Sequence, residues 1–154
     1  MSEQLFHIVE PPVSVATSLF TPCSMDEIAS TIGQTFGELW TLATQAGVEV
    51  TGPAFCRYHN WTESGGTLEC GMPIAAPKNV APPCQITTIG GGKAVLYALR
   101  GPYEGIKDAY SGIRLWATQN EVELLDGPYD SYVTDPSKEL DSSKWITEIY
   151  WPVG

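Results

Sequence analysis

The sequence predicts an α+β domain in which one strand–helix–strand–strand module is used twice, the two copies packing as a pseudo-symmetric pair around a cleft. Three observations predict it. The 154 residues suit one domain, and 43% hydrophobic against 17% charged residues mark a globular chain that can bury a core of its own. Apolar stripes of helical period occur twice, each between β-branched runs. Short motifs recur at matching places in both halves. Leu39-Trp40 echoes Leu115-Trp116, Val48–Pro53 echoes Val122–Pro128, and Glu69-Cys70-Gly71-Met72-Pro73-Ile74 echoes Glu148-Ile149-Tyr150-Trp151-Pro152-Val153. The whole chain, 1–154, reads as a single domain with repeats over about 13–76 and 84–153.

The first strand is predicted over Val13–Phe20, where apolar and β-branched residues run together. Ser24 and Glu27 have the spacing of a capping box, so a helix should follow from about Met25 to Gln45. Its apolar stripe is Ile28, Ile32, Phe36, Leu39 and Ala43, and Gly47 ends it. Pro53–Trp61 and Thr67–Ile74 read as a hairpin around Ser64-Gly65-Gly66. After a connector over Pro77–Pro83 comes a long strand region, Ile86–Leu99, with a bulge or bend at Gly90-Gly91-Gly92. Pro102, at the first helical position, opens a second helix with the stripe Ile106, Tyr110, Ile113 and Ala117. Strands over Pro128–Thr134 and Lys144–Val153 complete the second module.

Charge narrows the partners. The chain has 18 acids against 8 bases, a net charge of −10. Between Met1 and Pro77 the only base is Arg57. Such a surface speaks against direct nucleic-acid binding and favours cationic ligands. Met1-Ser2-Glu3-Gln4 has neither the basic flank nor the apolar run of a signal peptide, and no stretch approaches a spanning helix. The expected compartment is the cytoplasm. Cys23, Cys56, Cys70 and Cys84 are spaced 33, 14 and 14 apart, which fits no zinc pattern and points to reduced core residues. Two isolated histidines, His7 and His59, make no metal site. His7 falls in an edge or disordered start, and His59 is a cleft-rim candidate. Gly90-Gly91-Gly92-Lys93 lacks phosphate-loop spacing. No metal and no cofactor are expected.

The chemistry concentrates on Glu148. Alternation puts Ile146, Glu148 and Tyr150 on one face of the last strand and Trp145, Thr147, Ile149 and Trp151 on the other. Neither face looks directed to solvent. A carboxylate there must be paired, neutralised or used, the plain alternatives being a salt bridge to Arg57, Arg100 or Arg114 or an exposed edge strand. Its counterpart Glu69 has Thr67 and Gly71 on its face and should be more exposed. Five Trp, seven Tyr and four Phe supply cavity walls. An aromatic cavity with one carboxylate suits a lipophilic cation, through ring area, cation–π attraction and countercharge.

From Gly91-Gly92-Lys93-Ala94 through Arg100-Gly101-Pro102-Tyr103-Glu104, then Ala109-Tyr110 and Leu115-Trp116, the sequence resembles the middle of GyrI-like small-molecule-binding domains. The ending is similar too, with Tyr129, Tyr132, Asp135-Pro136 and Thr147–Val153. So is the first half, with Phe36-Gly37-Glu38-Leu39 and Tyr58-His59. The resemblance implies two β-α-β-β modules forming a curved antiparallel sheet with two helices, and a central aromatic pocket whose buried glutamate corresponds to Glu148. It implies a bacterial protein of one of three kinds: an effector-sensing domain of a multidrug-responsive transcription regulator, a gyrase-inhibitor-like or drug-sequestering protein, or a hydrolase that opens the cyclopropane of alkylating antibiotics. With no helix-turn-helix ahead of the strand near Val13, a stand-alone form is expected.

The resulting expectation is a binding protein for amphipathic, aromatic, cationic small molecules. Glu148 is the countercharge. Tyr150, Tyr58, Trp40, Trp116, Tyr110, Tyr103, Phe55 and Met72 are the candidate contacts. No direct nucleic-acid or membrane partner is expected, and the oligomeric state stays open. One alternative is a hydrolase of electrophilic, cyclopropanoid-type molecules with Glu148 as catalytic base or acid. The other is an acidic module that imitates nucleic acid toward a protein such as gyrase.

Overall fold

The computed structural model describes residues 5–77 and 80–154. Met1–Gln4, on which the leader reading rests, and Lys78-Asn79 of the expected connector lie outside the described residues. The strands are β1 (His7–Val9), β2 (Ser14–Ser24), β3 (Phe55–Thr62), β4 (Gly65–Pro73), β5 (Gln85–Ile89), β6 (Ala94–Arg100), β7 (Tyr129–Tyr132) and β8 (Ile146–Pro152). The helices are α1 (Ile28–Ala46) and α2 (Ile106–Gln119). The modules β2-α1-β3-β4 and β6-α2-β7-β8 match the predicted order. All pairings are antiparallel, in one eight-stranded sheet of order β1-β6-β8-β7-β3-β4-β2-β5.

The sequence missed β1, because three residues between a polar start and Glu10-Pro11-Pro12 carry too little pattern. Their place comes from the sheet. β1 pairs with β6, and β5 pairs with β2. The register runs through the break without a slip: Val9 faces Ala94, and five residues along each strand Ser14 faces Ile89. β1–β2 and β5–β6 are therefore one long antiparallel pair, bent where Pro11-Pro12 meets Gly90-Gly91. The expected bend at the three glycines is a full strand break. Gly91 N–H donates to the Pro11 carbonyl at 2.7 Å, and Gly90 has φ +87°. A side chain at Gly90 would run into the Pro12 carbonyl, so glycine is required there.

Both helices cover the same face of the sheet. Leu39 and Ala43 of α1 pack on Leu19 of β2 and Met72 of β4. Ala109 and Ile113 of α2 pack on Val95 of β6 and Ile149 of β8. Gly47 ends α1 in the left-handed conformation (φ 68°), its N–H donating to the carbonyls of Ala43 and Thr44. The expected capping box takes another form. Ser24 Oγ donates to Glu27 Oε1 at 2.9 Å, and Met25–Glu27 is a 3₁₀ turn ahead of α1. Pro102 likewise precedes a 3₁₀ turn, Tyr103–Gly105, rather than opening α2 itself. Two glycines, Gly33 and Gly37, lie inside α1, each costing about 1 kcal/mol of helix stability relative to alanine. Among the described residues no helix is long and apolar enough to cross a membrane.

The internal symmetry fixes residue equivalences. The buried helix positions Thr35, Leu39 and Ala43 correspond to Ala109, Ile113 and Ala117, each 74 positions later. The isolated bridges Val50–Ile74 and Leu124–Val153 repeat the same arrangement. At the centre of the sheet, β3 and β7 pair with each other, Cys56 opposite Asp130. These two residues are also 74 positions apart, so their pair lies on the pseudo-two-fold axis. The equivalence corrects one sequence match. Trp40 corresponds to Arg114, not to Trp116.

Candidate functional site

Two helices flanking the central strand pair leave a groove between them, floored by β3 and β7. It is a cleft of about 1960 Å³, roughly twice the upper size of ordinary drug-sized pockets. Symmetry-related positions line it from both sides: Ile32 and Ile106, Phe36 and Tyr110, Gly37 and Ser111, Trp40 and Arg114, Tyr58 and Tyr132. Met72, Tyr103, Trp61 and Trp151 complete the aromatic and apolar wall. The rings meet mostly edge to face. Tyr58 lies 5.0 Å from Trp61 and 5.8 Å from Tyr110, and Tyr110 lies 5.5 Å from Trp151.

Under the floor, on the axis, sits Asp130. It is 0% exposed. Its register neighbours are Cys56 on one side and Ile149 on the other, both apolar. Tyr58 Oη donates to Oδ2 at 2.8 Å and Tyr110 Oη donates to Oδ1 at 2.5 Å. Among the described residues no base pairs with it. Burial pushes the Asp130 carboxyl up to about 6, against the lowering effect of hydrogen bonds from Tyr110, Tyr58 and Tyr132. The three tyrosine hydroxyls are in turn pushed well up, by burial first and by the Asp130 charge second. They therefore stay protonated as donors. The floor is a carboxylate sealed behind three tyrosines whose side chains line the groove.

The other sheet face carries a separate polar set. Glu69, expected to be the more exposed glutamate, is 0% exposed. Arg57 Nε and His59 Nε2 both reach its Oε1 at 2.8 Å, and Ser18 Oγ donates to Oε2 at 2.8 Å. Burial pushes its carboxyl up, and the Arg57, His59 and Ser18 contacts outweigh that, leaving it below the ordinary carboxylate value. His59 thus belongs to this face and not to the cleft rim.

Glu148 also lies on that far face. Alternation along β8 holds, with Ile149 packed on α2, so Glu148 and Tyr150 point away from the groove. Tyr150 Oη donates to Glu148 Oε1 at 2.8 Å, and Tyr150 stacks on Tyr129 at 5.0 Å. Phe55 joins Tyr129 there in a small core. Trp116 packs on Phe6 at 5.7 Å, outside the groove. Of the residues predicted to contact ligand, Tyr58, Trp40, Tyr110, Tyr103 and Met72 line the cleft, while Glu148, Tyr150, Phe55 and Trp116 do not. The strand period is legible in the sequence, but the face that the helices cover is not. Tyr132, Trp61 and Trp151 line the groove and Asp130 lies beneath them, and none of the four was among the predicted contacts. A signal for Asp130 was present: aspartate is depleted in strands, and alternation puts Asp130 with Tyr132 on one face of β7.

Fold and cleft together define a small-molecule-binding domain made of two fused modules. The model of the GyrI-like small molecule binding domain matches residues 17–154, and the chain belongs to that family. No curated protein sequence matches it. Among solved structures, the EcmrR C-terminal domain superposes with a TM-score of 0.84 at 22% identity, covering 97% of this chain and 96% of that one. SAV2435 bound to tetraphenylphosphonium gives 0.70 at 10% identity, covering 97% and 93%. A hydrolase encoded by lin2189 from Listeria innocua gives 0.62 at 10% identity, covering 97% and 91%. At these identities the likeness concerns the fold.

Proposed function

We propose that this chain binds amphipathic aromatic cations in the groove between α1 and α2, with Asp130 as the countercharge. The observation that carries the reading is a buried carboxylate with no cationic partner among the described residues, held only by the hydroxyls of tyrosines that line the groove. Each hydroxyl donates toward the carboxylate, which leaves its ring richer in electron density and a better cation–π partner. A cation about 6 Å from the carboxylate gains about 3 kcal/mol at an effective dielectric of 20. The likeness in fold to SAV2435, solved with tetraphenylphosphonium, supports the choice of ligand class. The role assigned by sequence to Glu148 passes to Asp130.

The test is a tryptophan-fluorescence titration with tetraphenylphosphonium at pH 7.5, since Trp40, Trp61 and Trp151 line the groove. Saturable quenching in the wild type, weakened about a hundredfold in Asp130→Asn, is the expected result. No saturable response, or equal affinity in both proteins, overturns the proposal.

A second reading draws on the 2.5 Å bond between Tyr110 Oη and a carboxylate whose pKa lies near 6, an arrangement suited to moving a proton during hydrolysis of an electrophile. Product exceeding one equivalent with a cyclopropane-bearing alkylating substrate, lost in Tyr110→Phe, would establish it. Strict one-to-one binding would exclude it.

A further inference from the structure

The two walls of the groove are symmetric in backbone and unlike in chemistry. On α2 the groove-facing line is Lys107, Ser111 and Arg114. The equivalent line on α1 is Gly33, Gly37 and Trp40. Gly33 and Gly37 lie four residues apart in one helix, so they stack on the same face one turn apart.

Neither glycine is explained by the fold. A Cβ at either position would meet nothing within 4 Å, so no close approach demands their smallness. Neither has a positive φ, so no turn demands their freedom. Glycine within the adjoining helix is different, because a Cβ at Gly112 would touch the Phe6 ring at 3.6 Å. Two glycines that weaken α1 and relieve no contact leave one visible effect. They strip side chains from a flat strip of helix backbone, bordered by Phe36 and Trp40, and turn it toward the groove.

We infer that Gly33 and Gly37 set ligand specificity by admitting a flat, fused-ring aromatic against the bare face of α1. The ring lies on the peptide surface between Phe36 and Trp40. Its charged centre is directed to the tyrosine floor above Asp130. A methyl at either glycine would stand in the plane the ring must occupy, whereas a propeller-shaped cation, too thick for the strip, would rest on the floor alone. The inference deepens the cation-binding reading and rests on it.

The test compares wild type with Gly33→Ala, Gly37→Ala and the double variant, using ethidium as the planar cation and tetraphenylphosphonium as the propeller-shaped one. Gln34→Ala, exposed and off the groove, serves as control. Each glycine variant should melt about 2–4 °C higher, because alanine strengthens the helix. Each should also bind ethidium about tenfold more weakly, with tetraphenylphosphonium affinity unchanged. Raised melting with unchanged ethidium binding overturns the inference and leaves the cation pocket standing. Equal weakening for both cations overturns it as well. A wild type that binds neither cation brings down both readings.

Discussion

Replacing Asp130 with asparagine should change how stability depends on pH. Folding moves this carboxyl from an ordinary value of 3.8 to about 6, a difference worth about 3 kcal/mol. The folded chain holds the proton more tightly than the unfolded chain does. The folded state is therefore favoured at low pH. That advantage is whole below 3.8, shrinks as pH rises, and is gone above about 6. Asparagine does not titrate, so every other ionisation is shared by the two proteins and cancels in their difference. Urea unfolding of both at intervals from pH 3.5 to 7.5 measures it. The variant should gain about 3 kcal/mol on the wild type between pH 4 and 7, and hold that gain at higher pH. A thermal scan should show the same as a relative rise of roughly 6–12 °C. A difference that stays flat across this window, or slopes the other way, refutes the claim that Asp130 is buried without a charge partner.

Three further outcomes follow from named contacts. Thr147 is fully buried with its Oγ1 unpartnered among the described residues, so Thr147→Val should stabilise by about 1 kcal/mol in urea unfolding. Arg57→Ala removes the guanidinium from Glu69, which has no exposure of its own; denaturant unfolding should show a loss of about 3–5 kcal/mol. In cation titrations, Trp40→Phe should lose part of the quenching signal, whereas Trp116→Phe and Glu148→Gln should change neither signal nor affinity, because neither side chain faces the groove.

The module order was legible because each element carried its own local signal. The stripe Ile32, Phe36, Leu39 and Ala43 could only be a helix, and the Glu-x-x-x-Pro echo placed β4 and β8 correctly. Cys56 and Cys70, one on each strand of the predicted hairpin, stand directly opposite with sulfurs 3.9 Å apart. What local pattern left open was decided by tertiary arrangement. Period-two alternation separates Glu148 from Ile149 but does not say which of the two faces the helices will cover. A single carboxylate in an aromatic strand drew attention to the face turned away from the groove, while Asp130 passed unnoticed between Tyr129 and Ser131. The Leu-Trp echo misled for a similar reason. Two identical dipeptides two positions out of register put Trp40 in the groove and Trp116 behind its helix. The exchange of β1 and β5 was beyond any local pattern, since each pairs outside its own module.

That exchange bears on how the molecule holds together. Each module lends its leading segment to the other: β1 completes the second at β6, and β5 completes the first at β2. The two are clasped at the far end from the Cys56–Asp130 pair, so they meet at both poles of the axis. Neither module is a self-contained unit tied to the other only by a linker. If the chain were cut between Ala75 and Cys84, the pieces would be complementing fragments, each missing a strand that only the other can supply. The groove, drawn equally from both, would exist only in the reassembled pair.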